Sequence, residues 1–233
     1  MLSCLVGFIS NKPNEGGIKL NAEHHIVWHS QTISAEQRLK LNGHRSCILW
    51  FTGLSGAGKS TLANHLEASL FLQGVRSVVL DGDNIRHGLN KDLGFSAEDR
   101  AENIRRISEV AKILKEAGLV VLVAAISPFR KDRALSKQVC GSHFYEVYVS
   151  CDINECIKRD PKGLYQKAIR GEIKNFTGIS SPYEPPIQPD IILESDKKTA
   201  DQLVEELISF LKVNHIIDEK HGAVFQLSQH EIG

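Results

Sequence analysis

The chain has 233 residues, and its 28 lysines and arginines balance 28 aspartates and glutamates. That leaves room for one α/β domain with extensions, and no overall field to draw it to nucleic-acid polymers or an anionic membrane, so any basic site is local. The five cysteines, Cys4, Cys47, Cys140, Cys151 and Cys156, show neither C-x-x-C nor paired zinc spacing, and read as reduced, mostly structural thiols of a cytoplasmic protein.

The opening nine residues are apolar, but too few to span a bilayer and without a basic flank or cleavage signal. Residues 1–23 read as a flexible arm. Around His24, His25, Trp28 and His29 no cysteine or carboxylate cluster joins the histidines, so packing or surface roles are expected rather than metal ligation. Residues 35–41 are helix formers closed by Asn42-Gly43, a plausible C-cap.

Residues 47–52 form an apolar run followed at once by Gly53-Leu54-Ser55-Gly56-Ala57-Gly58-Lys59-Ser60-Thr61. This fits G-x-x-x-x-G-K-[ST] at every fixed position, between a strand and a helical pattern. Glycines let backbone N–H groups converge on phosphate oxygens. Lys59 places a charge near the β- and γ-phosphates, Ser60 offers a hydroxyl to Mg²⁺, and the helix start adds its positive end. A plain glycine-rich turn explains neither the lysine nor the context. Leu62, Leu66, Leu70 and Phe71 then mark a crossover helix ending at Gly74.

A second strand is predicted over 75–80, delivering Asp81 and Asp83 to its carboxyl end, where α/β sheets bind ligands. Turn chemistry explains such residues as well. Ser96 N-caps a helix over 97–117 in an S-x-x-D box with Asp99. Its early Arg100, Asn103, Arg105 and Arg106 fit a solvated face paired with Glu98, Asp99 and Glu102; a substrate role needs more than charge. The most continuous apolar strand, 119–126, stops at Ser127, within reach of a phosphate or hydroxyl. A helix over 132–140, a strand over 144–149 and a helix over 153–159 follow. Residues 160–186, rich in Gly, Pro and Lys, read either as a mobile lid over phosphates or as a surface excursion. A strand over 191–193 and an amphipathic helix over 199–211 close the domain. The expected fold is α/β, a mostly parallel sheet with helices on both faces.

Taken together, residues 50–61, Asp81-Gly82-Asp83-Asn84-Ile85-Arg86, Leu93-Gly94-Phe95-Ser96, Asp99-Arg100, Glu102-Asn103-Ile104-Arg105-Arg106, Ile126-Ser127-Pro128, Asp160-Pro161-Lys162-Gly163-Leu164-Tyr165 and residues 171–178 resemble the adenylylsulfate kinase (APS kinase) family of P-loop kinases over residues 24–212. The resemblance implies transfer of the γ-phosphate of MgATP to the 3′-hydroxyl of adenosine 5′-phosphosulfate, giving 3′-phosphoadenosine 5′-phosphosulfate and ADP. It implies that Asp83 accepts or orients the hydroxyl proton and that Asp81 and Ser60 organise the metal. Arg86, Arg100 and Asn103, with Ile126 and Ser127, are implied as contacts to the acceptor, Phe95 and Phe176 as the pair stacking on its adenine, and Lys162, Gly163 and Leu164 as lid. Ser127 matches a serine assigned in the family as a phosphorylated intermediate; direct in-line transfer is the simpler route, since both substrates can be held together. A homodimer and a separate ATP sulfurylase are also implied, because the chain is too short for a fused one. Arg170 falls one position later than the family's lid arginine, which removes it from the expected set, and residues 213–233 have no counterpart. Other readings are a nucleoside or gluconate kinase, lacking Phe95, Arg100 and Asn103 in this arrangement, and an idle module partnering the sulfurylase, against which Lys59, Ser60, Asp81 and Asp83 stand intact.

Overall fold

In the computed structural model, Val27 and residues 29–218 are described. The chain divides into two units between Thr32 and Ile33; everything below concerns the second. The arm expected over 1–23, His24, His25, Trp28 and the tail beyond 218 lie outside the described residues.

Five parallel strands form one sheet in the order β2-β3-β1-β4-β5: β1 (Cys47–Thr52), β2 (Ser77–Asp81), β3 (Val120–Ala124), β4 (Phe144–Ser150) and β5 (Ile191–Glu194). All six residues of β1 are buried, as a strand covered on both faces must be. Its side chains alternate between two cores. Cys47, Leu49 and Phe51 pack with Leu62, Leu66 and Leu70 of α2 (Lys59–Leu72) and Leu203, Leu207 and Leu211 of the last helix, Ala200–Val213. Ile48 and Trp50 pack on the opposite face with Ile104, Ile107 and Ala111 of α4 (Ala97–Glu116) and Cys140 of α5 (Arg130–Cys140). The expected three-layer architecture is therefore present, with β1 at its centre.

Local signals set most boundaries. The first helix, α1 (Ala35–Asn42), opens on a Ser34/Gln37 capping box and closes at Gly43, and Ser96 accepts from Asp99 N at the start of α4. Several boundaries differ from the expectation, most by one or two residues. β2 starts at Ser77, because Val75 N is bonded back to Leu70 O at the end of α2, and it runs through Asp81. β3 stops at Ala124, because Ser127 takes φ +40° and the Ile126 carbonyl accepts from the Thr52 hydroxyl at 2.8 Å. Ordered packing continues beyond residue 212, where the resemblance stops. The chain turns back after the last helix and buries Ile216 and Ile217 in the α2 core, where Ile216 O accepts from Arg45 N at 2.8 Å. Two short helices were not legible, α3 (Gly82–Arg86) and α7 (Leu164–Ile169); α6 (Ile153–Arg159) was.

Candidate functional site

The carboxyl end of β1 leads directly into the glycine loop. At Gly53, φ is +154°, and an added Cβ would lie 2.4 Å from the Val149 carbonyl oxygen of β4, so only glycine lets the loop leave the sheet so close to its neighbour. Gly58, at φ +96°, is the N-cap of α2 and directs the first turn of that helix into the loop. Lys59, Ser60 and Thr61 are the first residues of α2. The buried Lys59 ammonium donates to Gly53 O at 3.0 Å and Leu54 O at 2.7 Å. Burial pushes it down to about 8, opposed by Cys156, Asp83 and Asp81 and reinforced by Lys162.

Asp81, the last residue of β2, uses both carboxylate oxygens. Oδ1 caps α3 by accepting from Asp83 N at 2.9 Å and Asn84 N at 3.3 Å, and Oδ2 accepts from Ser60 Oγ at 2.5 Å. A hydroxyl and a carboxylate side by side at a phosphate loop are hard oxygen donors of the kind Mg²⁺ takes when substrate phosphates complete its shell, so the residues present fit that ion. Among the described residues there is no group of three or more His, Cys, Asp and Glu that could hold a metal alone. Asp83 stands exposed on the first turn of α3, and its carboxylate is paired with Lys162, which the sequence placed in the lid.

Beside α3 lies a second cluster. Arg86 donates to Leu93 O and Gly94 O at 3.1 and 2.9 Å, and its guanidinium sits 4.4 Å from the centroid of the Phe95 ring. Phe95 is 60% exposed, a large aromatic face left open to a ligand and braced from behind by a cation. Arg105 and Arg106 match the solvated-face reading: both pair with Glu102, and Arg106 also pairs with Asp92. Arg100 does not. All three of its donor positions go to other segments, Nε to Phe95 O at 3.0 Å, Nη1 to Thr177 Oγ1 at 2.9 Å and Nη2 to Asn175 O at 2.6 Å. It ties the Phe95 turn to residues 175–177.

Four of the expected residues sit differently from an open contact. Phe176 is buried and packs edge-on against Tyr165, centroids 5.0 Å apart. Asn103 is buried, and its side-chain oxygen accepts from Asn90 Nδ2 at 3.0 Å. Ser127 is 2% exposed, its hydroxyl accepts from Trp50 Nε1 at 3.1 Å, and its carbonyl accepts from buried Arg133 at 2.7 Å. The hydroxyl is therefore held against the core indole, a poor position for a group that must carry phosphate. Ile126 meets the site through its backbone carbonyl. Arg170 pairs with Glu172.

The segment read as lid or surface excursion is anchored. Gly163 is the N-cap of α7 and Leu164 its first residue, Leu164 packs against the core, and Asp160 accepts from Tyr165 N and Gln166 N, both at 3.1 Å. Tyr165, Thr177, Arg133 and Asn90 were missed as site-building residues; Tyr165 and Thr177 meet Ser55 and Arg100 from far away in sequence, and no spacing announces any of the four.

Comparison with known proteins meets this geometry. The adenylylsulphate kinase family model matches residues 45–194. The probable adenylyl-sulfate kinase of Bacillus subtilis is 55% identical over 193 residues, covering 82% of this chain and 97% of that one. The adenylyl-sulfate kinase of Shewanella amazonensis is 56% identical over 189 residues, 81% and 96% of the two chains. Among solved structures, the Mycobacterium tuberculosis APS kinase CysC in complex with AMPPNP and APS is 50% identical with a TM-score of 0.70, covering 72% of this chain and 99% of that one. On these matches, this chain belongs to the adenylylsulphate kinase family.

Proposed function

We infer that this cleft transfers the γ-phosphate of MgATP to the 3′-hydroxyl of adenosine 5′-phosphosulfate, with the glycine loop holding the donor and the Arg86–Phe95–Arg100 cluster holding the acceptor. One observation carries the assignment of sides: Lys162 and Asp83, from segments flanking the glycine loop, meet as a pair, so an acidic group and a cation converge where the two nucleotides must approach. Phosphoryl transfer asks for positioning and charge neutralisation more than for covalent chemistry. Residues 53–61 orient the triphosphate through backbone N–H groups and Lys59. Ser60 and Asp81 would hold Mg²⁺, which would supply charge neutralisation at the phosphates. Asp83 accepts the 3′-hydroxyl proton or orients it for in-line attack. Arg86 and Arg100 complement the phosphosulfate, and Phe95 stacks on its adenine. Ser127, Asn103 and Phe176 support the pocket walls. Residues 160–178, carrying Lys162, close the site.

Within this reading the protein is a cytoplasmic homodimer that takes its substrate from a separate ATP sulfurylase and serves sulfate activation. Support comes from the family resemblance, from the balanced charge, and from the lack, among the described residues, of any helix long and apolar enough to cross a membrane. Sedimentation at micromolar concentration tests the dimer; a monomer overturns it.

The deciding assay is coupled ADP release with and without adenosine 5′-phosphosulfate. Turnover that does not depend on the acceptor sinks the reading. A narrower expectation concerns the stack. Phe95→Ala weakens adenosine 5′-phosphosulfate binding by about 1–3 kcal/mol, the worth of one base–aromatic stack, and leaves MgATP binding within about twofold. Paired calorimetric titrations check it, and equal losses for both ligands would remove Phe95 from the acceptor side.

A further inference from the structure

Donor and acceptor residues occupy different segments, and one buried side chain bridges them. Tyr165 is 1% exposed. Its hydroxyl donates to Ser55 O in the glycine loop at 2.9 Å, while its ring meets Phe176 edge-on at 5.0 Å and 78°. The residues on either side of Phe176 hold Arg100, through Asn175 O at 2.6 Å and Thr177 Oγ1 at 2.9 Å, and Arg100 holds Phe95 O. A second close approach runs in parallel: a Cβ on Gly178 would lie 3.1 Å from Leu54 Cδ2. The path from cradle to acceptor ring is therefore continuous.

The phenol has a defined effect on the loop. A trans peptide points its C=O and N–H in opposite directions, so fixing the Ser55 carbonyl fixes the direction of the Gly56 N–H, one of the loop's donors to phosphate. Burial raises the Tyr165 phenol further above neutral pH, with Cys156, Cys151 and Asp160 adding to it, so it remains a donor at every working pH.

We propose that Tyr165 is a positioning residue that couples the two substrate sites, so that filling either one orders the other through Ser55 on one side and Phe176–Thr177–Arg100 on the other. The proposal rests on the kinase reading given above. Coupling of this kind is reciprocal: the factor by which the ATP site tightens the acceptor site equals the factor in the other direction.

The test uses the full chain and MgAMPPNP, a donor analogue that resists transfer. Each of MgAMPPNP and adenosine 5′-phosphosulfate is titrated alone and with the other at saturation, in wild type, Tyr165→Phe, Thr177→Val and the double variant. Wild type is expected to show a coupling factor of about tenfold, equal from both sides. Tyr165→Phe keeps the ring and loses only the hydroxyl; its factor falls to about twofold or less while each ligand alone binds within about threefold of wild type. Thr177→Val, which breaks the far end, lowers the factor too, and the double variant lowers it no further, as for residues acting in one path. A wild-type factor of one, a factor unchanged in Tyr165→Phe, or additive losses in the double variant overturns the proposal. Equal weakening of both ligands with an unchanged factor makes Tyr165 structural only and overturns it as well. If Tyr165→Phe does not fold, Thr177→Val carries the same test. A wild type without acceptor-dependent ADP release instead overturns the kinase reading, and the proposal with it; that outcome is distinct from a working enzyme whose coupling survives the loss of the hydroxyl.

Discussion

Asp83→Asn lowers turnover by about 10²–10⁴-fold, the usual worth of a positioned acid–base group, while MgATP affinity stays within about threefold. The substitution preserves shape. It removes the charge that now pairs with Lys162, and it leaves intact the Asp81 bonds to Ser60 and to the start of α3, so the hydrogen-bonded frame of the donor half is kept. Steady-state kinetics alongside a nucleotide titration separate the effects, and near-normal turnover removes Asp83 from the mechanism. If both turnover and MgATP affinity collapse, the carboxylate belongs to the metal and the proton goes elsewhere.

Gly53→Ala is expected to destabilise the protein by about 3 kcal/mol or more, because overpacking against atoms that cannot yield costs about 1–3 kcal/mol and occasionally more. The obstructing atom is a backbone oxygen at 2.4 Å, in a residue of β4 paired with Leu193 of β5, so relief requires moving the sheet. In a domain of this size the melting temperature falls by roughly 2–4 °C per kcal/mol, and nucleotide binding is lost with the loop. A melting temperature within a degree of wild type would show that the loop can shift without β4. Gly58→Ala, at a position where nothing lies within 4 Å of the added Cβ, isolates the cost of a left-handed backbone alone.

What could be read from the chain was what neighbouring residues determine. β1 and the glycine loop are legible because a buried run, three glycines and Lys59 fall in one unbroken stretch, and the cap at Ser96 because it bonds three residues on. Arg100 was ambiguous for a physical reason: on a helix it occupies the same kind of position as Arg105 and Arg106, and only partners some seventy-five residues away, Asn175 and Thr177, separate it from a solvated face. The same limit hid Tyr165, whose partner Ser55 lies 110 residues away. Ser127 was correctly placed after β3, but nothing local shows that its hydroxyl turns to Trp50. Helix α7 was masked by the glycine and proline before it, and depends on Asp160 capping its first turn. Family resemblance supplied which residues to expect at the site; contacts supply how they are held.

The strand order bears on how the protein is made. β1 pairs with β3, Cys47 facing Val120, and with β4, Ile48 facing Phe144, while β2 pairs with β3. During synthesis, the centre of the sheet is complete before either of its neighbours has left the ribosome, and β2 cannot shelter it. An apolar segment from Cys47 to Thr52 must wait for its first partner until β3, from Val120 onward, has been made. Long-range parallel pairing of this kind is slow and exposes sticky surface, which makes the nascent chain, rather than the finished kinase, the stage most in need of a chaperone.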